Sequence, residues 1–309
     1  MIRQLLLVTT SVVAAAQPPG AQMSVPSLGY VFDGNAKAIR LISGVPGAAS
    51  LDAIVPANTS IQTAFVNSRA QVAIANTKEG SVVLVQWSAA LQVHPLATSL
   101  GSVTQVAFSP AGDRGAITDG TTIEVWSLNA DPSKSATFTP DGGVTALAMN
   151  ADGLLAAGTG SGAILLLGDP IKQVAAGGQW TNVAFLPNGA DLLAADSAGQ
   201  NLVLIQNVKT DAAASVVLAL NQPADALAVS ADGNVTAVAS GATVSLLNLA
   251  SGQTSSINCN CRAAQFDRLA GNLILHIADA QSGSDLLLDA DAAQPRLMTL
   301  FGMNGGIAQ

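Results

Sequence analysis

The chain has 309 residues, of which 49% are hydrophobic, 10% charged and 4% aromatic, and its formal net charge is −8. A chain this apolar has ample surface to bury, which argues against intrinsic disorder. Lys and Arg occur singly in an acidic background, which argues against nucleic-acid and anionic-membrane surfaces, since both need clustered cations.

In chain order, residues 1–16 have the form of a secretory signal peptide. Arg3 precedes the apolar run Leu5–Ala16, which ends in Ala14-Ala15-Ala16 before Gln17. The run is shorter than the roughly 20 apolar residues a membrane-spanning helix needs, and no cysteine follows the cleavage point to carry a lipid. The chain is therefore expected to be exported, secreted or periplasmic, with a mature start at about Gln17 and no membrane span. Residues 17–23 read as a short linker, 24–302 as a single domain and 303–309 as a tail.

The first unit of the domain pairs Tyr30–Asp33 with Ala38–Ile42 across the turn Gly34-Asn35-Ala36-Lys37. A longer unit then recurs: QTAFVNSRAQVAIAN from Gln62, QVAFSPAGDRGAIT from Gln105, ALAMNADGLLAAGT from Ala146, NVAFLPNGADLLAAD from Asn182, ALAVSADGNVTAVAS from Ala226 and AAQFDRLAGNLILHI from Ala263. Apolar anchors fall at Phe65, Phe108, Met149, Phe185, Val229 and Phe266, about 40 residues apart on average, a period shared by propeller blades and helical HEAT repeats.

The residues within the unit decide between these two. Turn residues follow the anchor (Gly112; Asp152-Gly153; Asn188-Gly189; Asp232-Gly233), then a short apolar run, then a second turn such as Gly160-Ser161-Gly162. A third run follows, such as Asn201–Ile205, and a less regular fourth, such as Ser215–Leu220. Short runs bounded by Gly, Asp and Asn are strands, whereas helical repeats need uninterrupted runs of ten or more residues. Near-absent glutamate (Glu79 and Glu124 alone) and turn-located aspartate point the same way.

Four strands per repeat make one propeller blade, so the fold is expected to be an all-β propeller of seven four-stranded blades, with six the alternative count. The first unit matches the second and third strands of the others, so its blade is expected to lack the innermost strand. Either Arg296–Phe301 or Ser24–Leu28 would complete a blade and close the ring, because an open ring leaves sheet edges unpaired. Ala146, Ala148, Ala226 and Ala228 suit the narrow inner end of wedge-shaped blades.

Val106–Leu128, VAFSPAGDRGAITDGTTIEVWSL, resembles a WD-repeat blade, and it is equally similar to YVTN-type, lactonase-like propellers of secreted bacterial proteins. The resemblance spans about residues 24–302. It implies a tight turn joining the two inner strands and a Trp ending the third, here Trp126. Ser127 follows Trp126, and Ser88 follows Trp87, where a WD repeat has Asp. No blade carries a Gly-His pair, so the Asp-His-Ser-Trp network of WD repeats is not expected.

Cys259 and Cys261 form the one local constellation. In an extended segment residues i and i+2 share a face, with Cα atoms roughly 6.5 Å apart, at the upper end of disulfide geometry. For an exported chain a disulfide is the first reading, free thiols the second, and metal binding the third, because a closed site usually needs four ligands. The two histidines, His94 and His276, read as structural. Asp285, Asp289 and Asp291 in DLLLDAD read as a solvated turn, since a calcium loop would include a turn glycine. No dinucleotide, Walker or nucleophile-elbow fingerprint occurs, and no cofactor, metal or catalytic residue is expected. The functional expectation is a non-catalytic, monomeric scaffold for a protein or glycan partner. The alternative is a lactonase-like hydrolase, marked by Arg, His, Asp or Glu gathered at one channel mouth.

Overall fold

The computed structural model describes residues 26–88 and 90–302, and for Ala264 the backbone alone; the signal segment, the linker and the tail fall outside these residues. Seven four-stranded sheets stand in a ring, numbered here blades 1 to 7 in chain order. Each of blades 2 to 7 is an antiparallel meander whose first strand is innermost. Those inner strands are Ile61–Asn67, Gln105–Phe108, Val144–Met149, Trp180–Phe185, Ala224–Val229 and Ala263–Arg268.

The ring follows from sheets that are apolar on both faces. In blade 4, Ala146, Ala148, Ala156, Ile164 and Leu166 pack toward blade 5. The alternate residues Val144, Leu155, Ala157 and Leu167 pack toward blade 3. One such layer lies between every neighbouring pair of blades, and the layer joining Leu28, Val31, Ile42 and Leu51 to Leu269, Ile274 and Leu287 closes the circle. Burying one Leu or Ile contributes about 1.5–3 kcal/mol. A lone blade would leave both faces wet, so stability belongs to the ring. Alanine clusters near the axis, at Ala73, Ala75, Ala116, Ala156, Ala194 and Ala237, all fully buried where the sheets converge.

Blade 1 differs. Its strands are Ser27–Asp33, Ala38–Ser43, Ser50–Ile54 and the two-residue Phe301–Gly302, which pairs in parallel with Ser50 and Leu51. Asp33 caps the next turn by accepting from the amides of Asn35 and Ala36. Asp279, which ends the second strand of blade 7, caps the amides of Gln281 and Ser282 in the same way. Ser27–Asp33 therefore occupies a second-strand position, and among the described residues blade 1 has no innermost strand. Phe301–Gly302 supplies the outer strand of this blade, while Arg296–Thr299 remains the outer strand of blade 7. With blade 1 set back, the inner strands of blades 2 and 7 touch each other directly. Ser68 Oγ accepts from the Tyr30 amide at 2.7 Å and the Ala270 amide donates to the Leu28 carbonyl at 2.8 Å, sealing the seam.

The turn glycines serve packing between blades as well as turn geometry. The Gly112 amide bonds the Ser109 carbonyl at 2.9 Å, and the Gly153 amide bonds that of Asn150 at 3.1 Å. Both glycines are left-handed, with φ of 73° and 81°. A Cβ on Gly112 would lie 2.2 Å from the Ala70 Cβ of blade 2. Gly112→Ala should therefore lose about 2 kcal/mol in a urea titration, from left-handed strain plus overpacking. Gly252→Ala, left-handed at φ 69° with nothing within 4 Å of its Cβ, should lose about 1 kcal/mol from strain alone. Equal losses would show that the abutting blades do not constrain the turn.

Candidate functional site: the central channel

Because the inner strands run through the ring in one direction, residues at their starts meet at one mouth and residues at their ends at the other. The first mouth opens into a chamber of about 410 Å³ lined by Thr104, Gln105, Thr181, Asn182, Asp225, Gln265 and Asp267. The second chamber, about 370 Å³, is bordered by Asn67, Ser68, Arg69, Ser109 and Arg268. Val66, Phe108, Leu147, Val183, Leu227 and Phe266 line both chambers and form an apolar waist.

All six anchors sit on this channel. Phe65 lines the first chamber, Met149, Phe185 and Val229 the second, and Phe108 and Phe266 both. Their registers differ in two blades. Phe108, Met149, Phe185 and Val229 pair with Gly115, Leu155, Leu192 and Thr236 at the close of the inner hairpin. The positions that close it in blades 2 and 7 are Asn67, paired with Val72, and Arg268, paired with Leu275. Phe65 and Phe266 lie two residues earlier, on the same strand faces.

The polar groups of the first mouth are spent on the protein itself. Gln105 Nε2 donates to the Thr145 carbonyl of the next blade at 3.0 Å. Asp225 accepts from the Gly241 amide at 3.1 Å and faces Arg262 at 3.5 Å. Asp267 accepts from Gln265 Nε2 at 2.8 Å and, through its other oxygen, pairs with His276 Nδ1 at 2.8 Å. The far nitrogen, Nε2, lies 2.8 Å from Asp285. His276 is fully buried. Burial alone would push its pKa down, but the hydrogen bonds and charges of Asp267 and Asp285 overcome that and raise it to about 9.

The second mouth is different. Arg268 Nε is buried with no hydrogen-bond partner. Burial, and then the charge of Arg69, push its pKa down. Arg69 reaches across the seam to the Gly271 carbonyl of blade 7.

The Trp126 indole lies within an ion-pair network. Its Nε1 donates to Glu124 Oε2 at 3.2 Å on the same strand, and the other carboxylate oxygen takes bonds from Ser99 and Lys134. Trp87 packs edge-on against Tyr30, with ring centroids 5.1 Å apart.

Asp285, Asp289 and Asp291 do not form a solvated turn. Asp285–Asp289 is the third strand of blade 7, where Asp289 is buried against Arg296 at 3.1 Å and Asp285 holds His276. Asp291 caps the amides of Asn272 and Leu273. The pattern DLLLD alternates too little to mark a strand with a half-buried carboxylate at one end and a buried one at the other. His94 lies in the outer strand Gln92–Pro95 of blade 2, with Nε2 3.4 Å from Gln92.

Cys259 and Cys261 are joined by a disulfide with Cα atoms 5.0 Å apart, closer than an extended segment allows, because Asn260 between them is left-handed at φ 45°. A ring this small restrains the unfolded chain little, so reduction should lower stability by no more than about 1.5 kcal/mol. Denaturant titration of the oxidised and reduced chains, with mass spectrometry to count the two added hydrogens, checks this.

Seven blades around a two-chambered bore define a β-propeller. In fold the chain is similar to the crystal structure of Kluyvelomyces marxianus Hsv2, with a TM-score of 0.60 over 89% of this chain and 97% of that one, at 13% sequence identity. No protein-family model and no curated protein sequence matches the chain. Among the described residues no helix is long and apolar enough to cross a membrane.

Proposed function

We propose that this chain is an exported, non-catalytic propeller that binds a protein or glycan partner at a channel mouth, acting as a monomer. The observation that carries the reading is the commitment of its buried histidine and carboxylate side chains. His276, Asp267, Asp285, Glu124 and Asp289, the groups a hydrolase would recruit, are held in internal hydrogen-bonded pairs. A general base must reach a substrate proton, and an imidazole bridging two carboxylates has no free nitrogen to do so. The turns of the second mouth, meanwhile, are fixed to one another from blade to blade. Asn67 Nδ2 bonds the Ser109 carbonyl, Arg114 the Asp152 carbonyl and Asn150 Nδ2 the Gly189 carbonyl, at 3.0–3.2 Å. A platform already rigid loses little entropy on binding.

Export is tested by N-terminal sequencing of the chain recovered outside the cytoplasm, with a start at Gln17 expected. Binding is tested with the mature chain on a glycan array and by photo-crosslinking to exported proteins, scored against a variant with both mouths blocked. Turnover of any member of a lactone and ester panel would overturn the reading in favour of the hydrolase.

A further inference from the structure

The seam left by blade 1 brings two arginines together. Arg268 ends the inner strand of blade 7 and Arg69 lies in the hairpin turn of blade 2. An inner strand in blade 1 would separate them; without one, Arg69 hydrogen-bonds the turn after Arg268. Among the described residues neither guanidinium has an ion-pair partner, a lack they share with Lys37, Lys78, Arg114 and Lys172. Arg268 borders the second chamber with a buried, unbonded Nε, and a buried donor without a partner is a standing cost. At the first mouth the charged and amide side chains Gln105, Asp225 and Asp267 are all engaged, and the buried group left without a partner is the neutral hydroxyl of Thr145.

Beyond the arginines the chamber has a polar border of Asn67, Ser68 and Ser109 and an otherwise apolar wall. Phe108, Phe185, Phe266 and Val229 line it, and no lysine does. A guanidinium offers a planar fork that matches a carboxylate, and apolar walls with a few convergent polar groups are the usual form of a small-ligand site. Two arginines against that wall suit a singly charged anion with an apolar body better than a compact, highly hydrated polyanion.

We propose that the second chamber binds a small organic carboxylate, its carboxylate on Arg268 and Arg69 and its apolar body against Phe108, Phe185 and Phe266. This proposal rests on the reading of the chain as a binding propeller and names a ligand class for one of its mouths.

Titration calorimetry of the disulfide-intact mature chain with phenylacetate tests it, with phenylacetamide and inorganic phosphate as controls. Phenylacetate should bind, and both controls should bind about tenfold more weakly or not at all. Arg268→Met should weaken phenylacetate by about tenfold or more while melting near the wild-type temperature, because it removes a buried unpaired donor and the repulsion of Arg69 together with the attraction of Asp232 and Asp291. Arg69→Gln supplies a second variant outside the apolar wall, with weaker binding expected. Equal binding of acid and amide, phosphate binding as tight as phenylacetate, no binding of phenylacetate, or an Arg268→Met chain that binds like wild type would each overturn the proposal. Loss of phenylacetate binding alongside retained partner capture leaves the scaffold reading standing. Turnover of the ester panel sinks that reading instead.

Discussion

Replacing His276 with Leu should lower the unfolding free energy by about 3–5 kcal/mol, more than any other single substitution considered for this chain. The imidazole is fully buried and bridges Asp267 and Asp285 at 2.8 Å on either side. Removing it leaves two largely buried carboxylates, Asp267 beside the first chamber and Asp285, without their shared partner, and that uncompensated charge sets the size of the loss. Replacing all three residues together, as His276→Leu with Asp267→Asn and Asp285→Asn, should recover most of it. If the triple variant is as unstable as the single one, packing and not charge pairing holds this site. Urea titrations of the variants against wild type supply the measurement.

The same group makes stability depend on pH in the alkaline range. Its pKa is about 9 in the folded chain against the ordinary 6.5. The charged imidazole thus favours the folded state, fully so below about pH 6.5, and the contribution is lost as the pH rises through 9. The difference is worth about 3 kcal/mol. Wild type should lose stability between pH 7 and 10, and His276→Leu should lose much less over the same interval.

Glu124→Ala should cost about 2–4 kcal/mol. Glu124 is fully buried in the third strand of blade 3, and one carboxylate oxygen accepts from the Ser99 amide at 3.1 Å, Ser99 Oγ at 2.7 Å and Lys134 Nζ at 3.0 Å. The other accepts from Trp126 Nε1 at 3.2 Å, so alanine leaves the buried indole donor without its acceptor and frees the more exposed Ser99 and Lys134. Burial pushes this carboxyl up, but hydrogen bonds from Thr98, Ser99 and Lys134 outweigh it and lower the pKa to about 2. Its contribution is complete above about pH 4.5 and is lost as the pH falls toward 2. Asp279, also lowered to about 2, acts in the same window. The acid limb of the stability profile should therefore flatten in Glu124→Ala, and the environment of Trp126 should report the change in fluorescence. An unchanged acid limb would mean that Glu124 does not carry the acid response.

The blades were legible in the sequence because turn chemistry and period are local. Asp152-Gly153 and Asn188-Gly189 mark hairpins whatever the chain does elsewhere, and repetition narrows the count to seven or six blades, of which the structure has seven. The retracted first blade could be read too, since Tyr30–Asp33 aligns with second strands. The channel was less legible. An alignment keyed on apolar anchors places Phe65 and Phe266 where pairing places Asn67 and Arg268, so the residues that distinguish the second mouth were hidden by being polar. The His276 bridge was hidden for another reason. Asp267 is its cross-strand neighbour and Asp285 arrives from the following strand, so the constellation exists only once register is fixed. The one local hint was polarity inside apolar strands, in IEVWS and ILHIAD, where an unpaired Glu or His would be too costly to keep buried.

Setting blade 1 back from the axis separates two quantities that are tied together in a regular propeller. The perimeter carries seven blades, while the lumen is walled by six strands among the described residues. The calibre of the lumen and the breadth of the outer faces can therefore vary independently. Blade 1 contributes no lining side chain to either chamber, so its exposed positions can diversify without altering what the lumen admits.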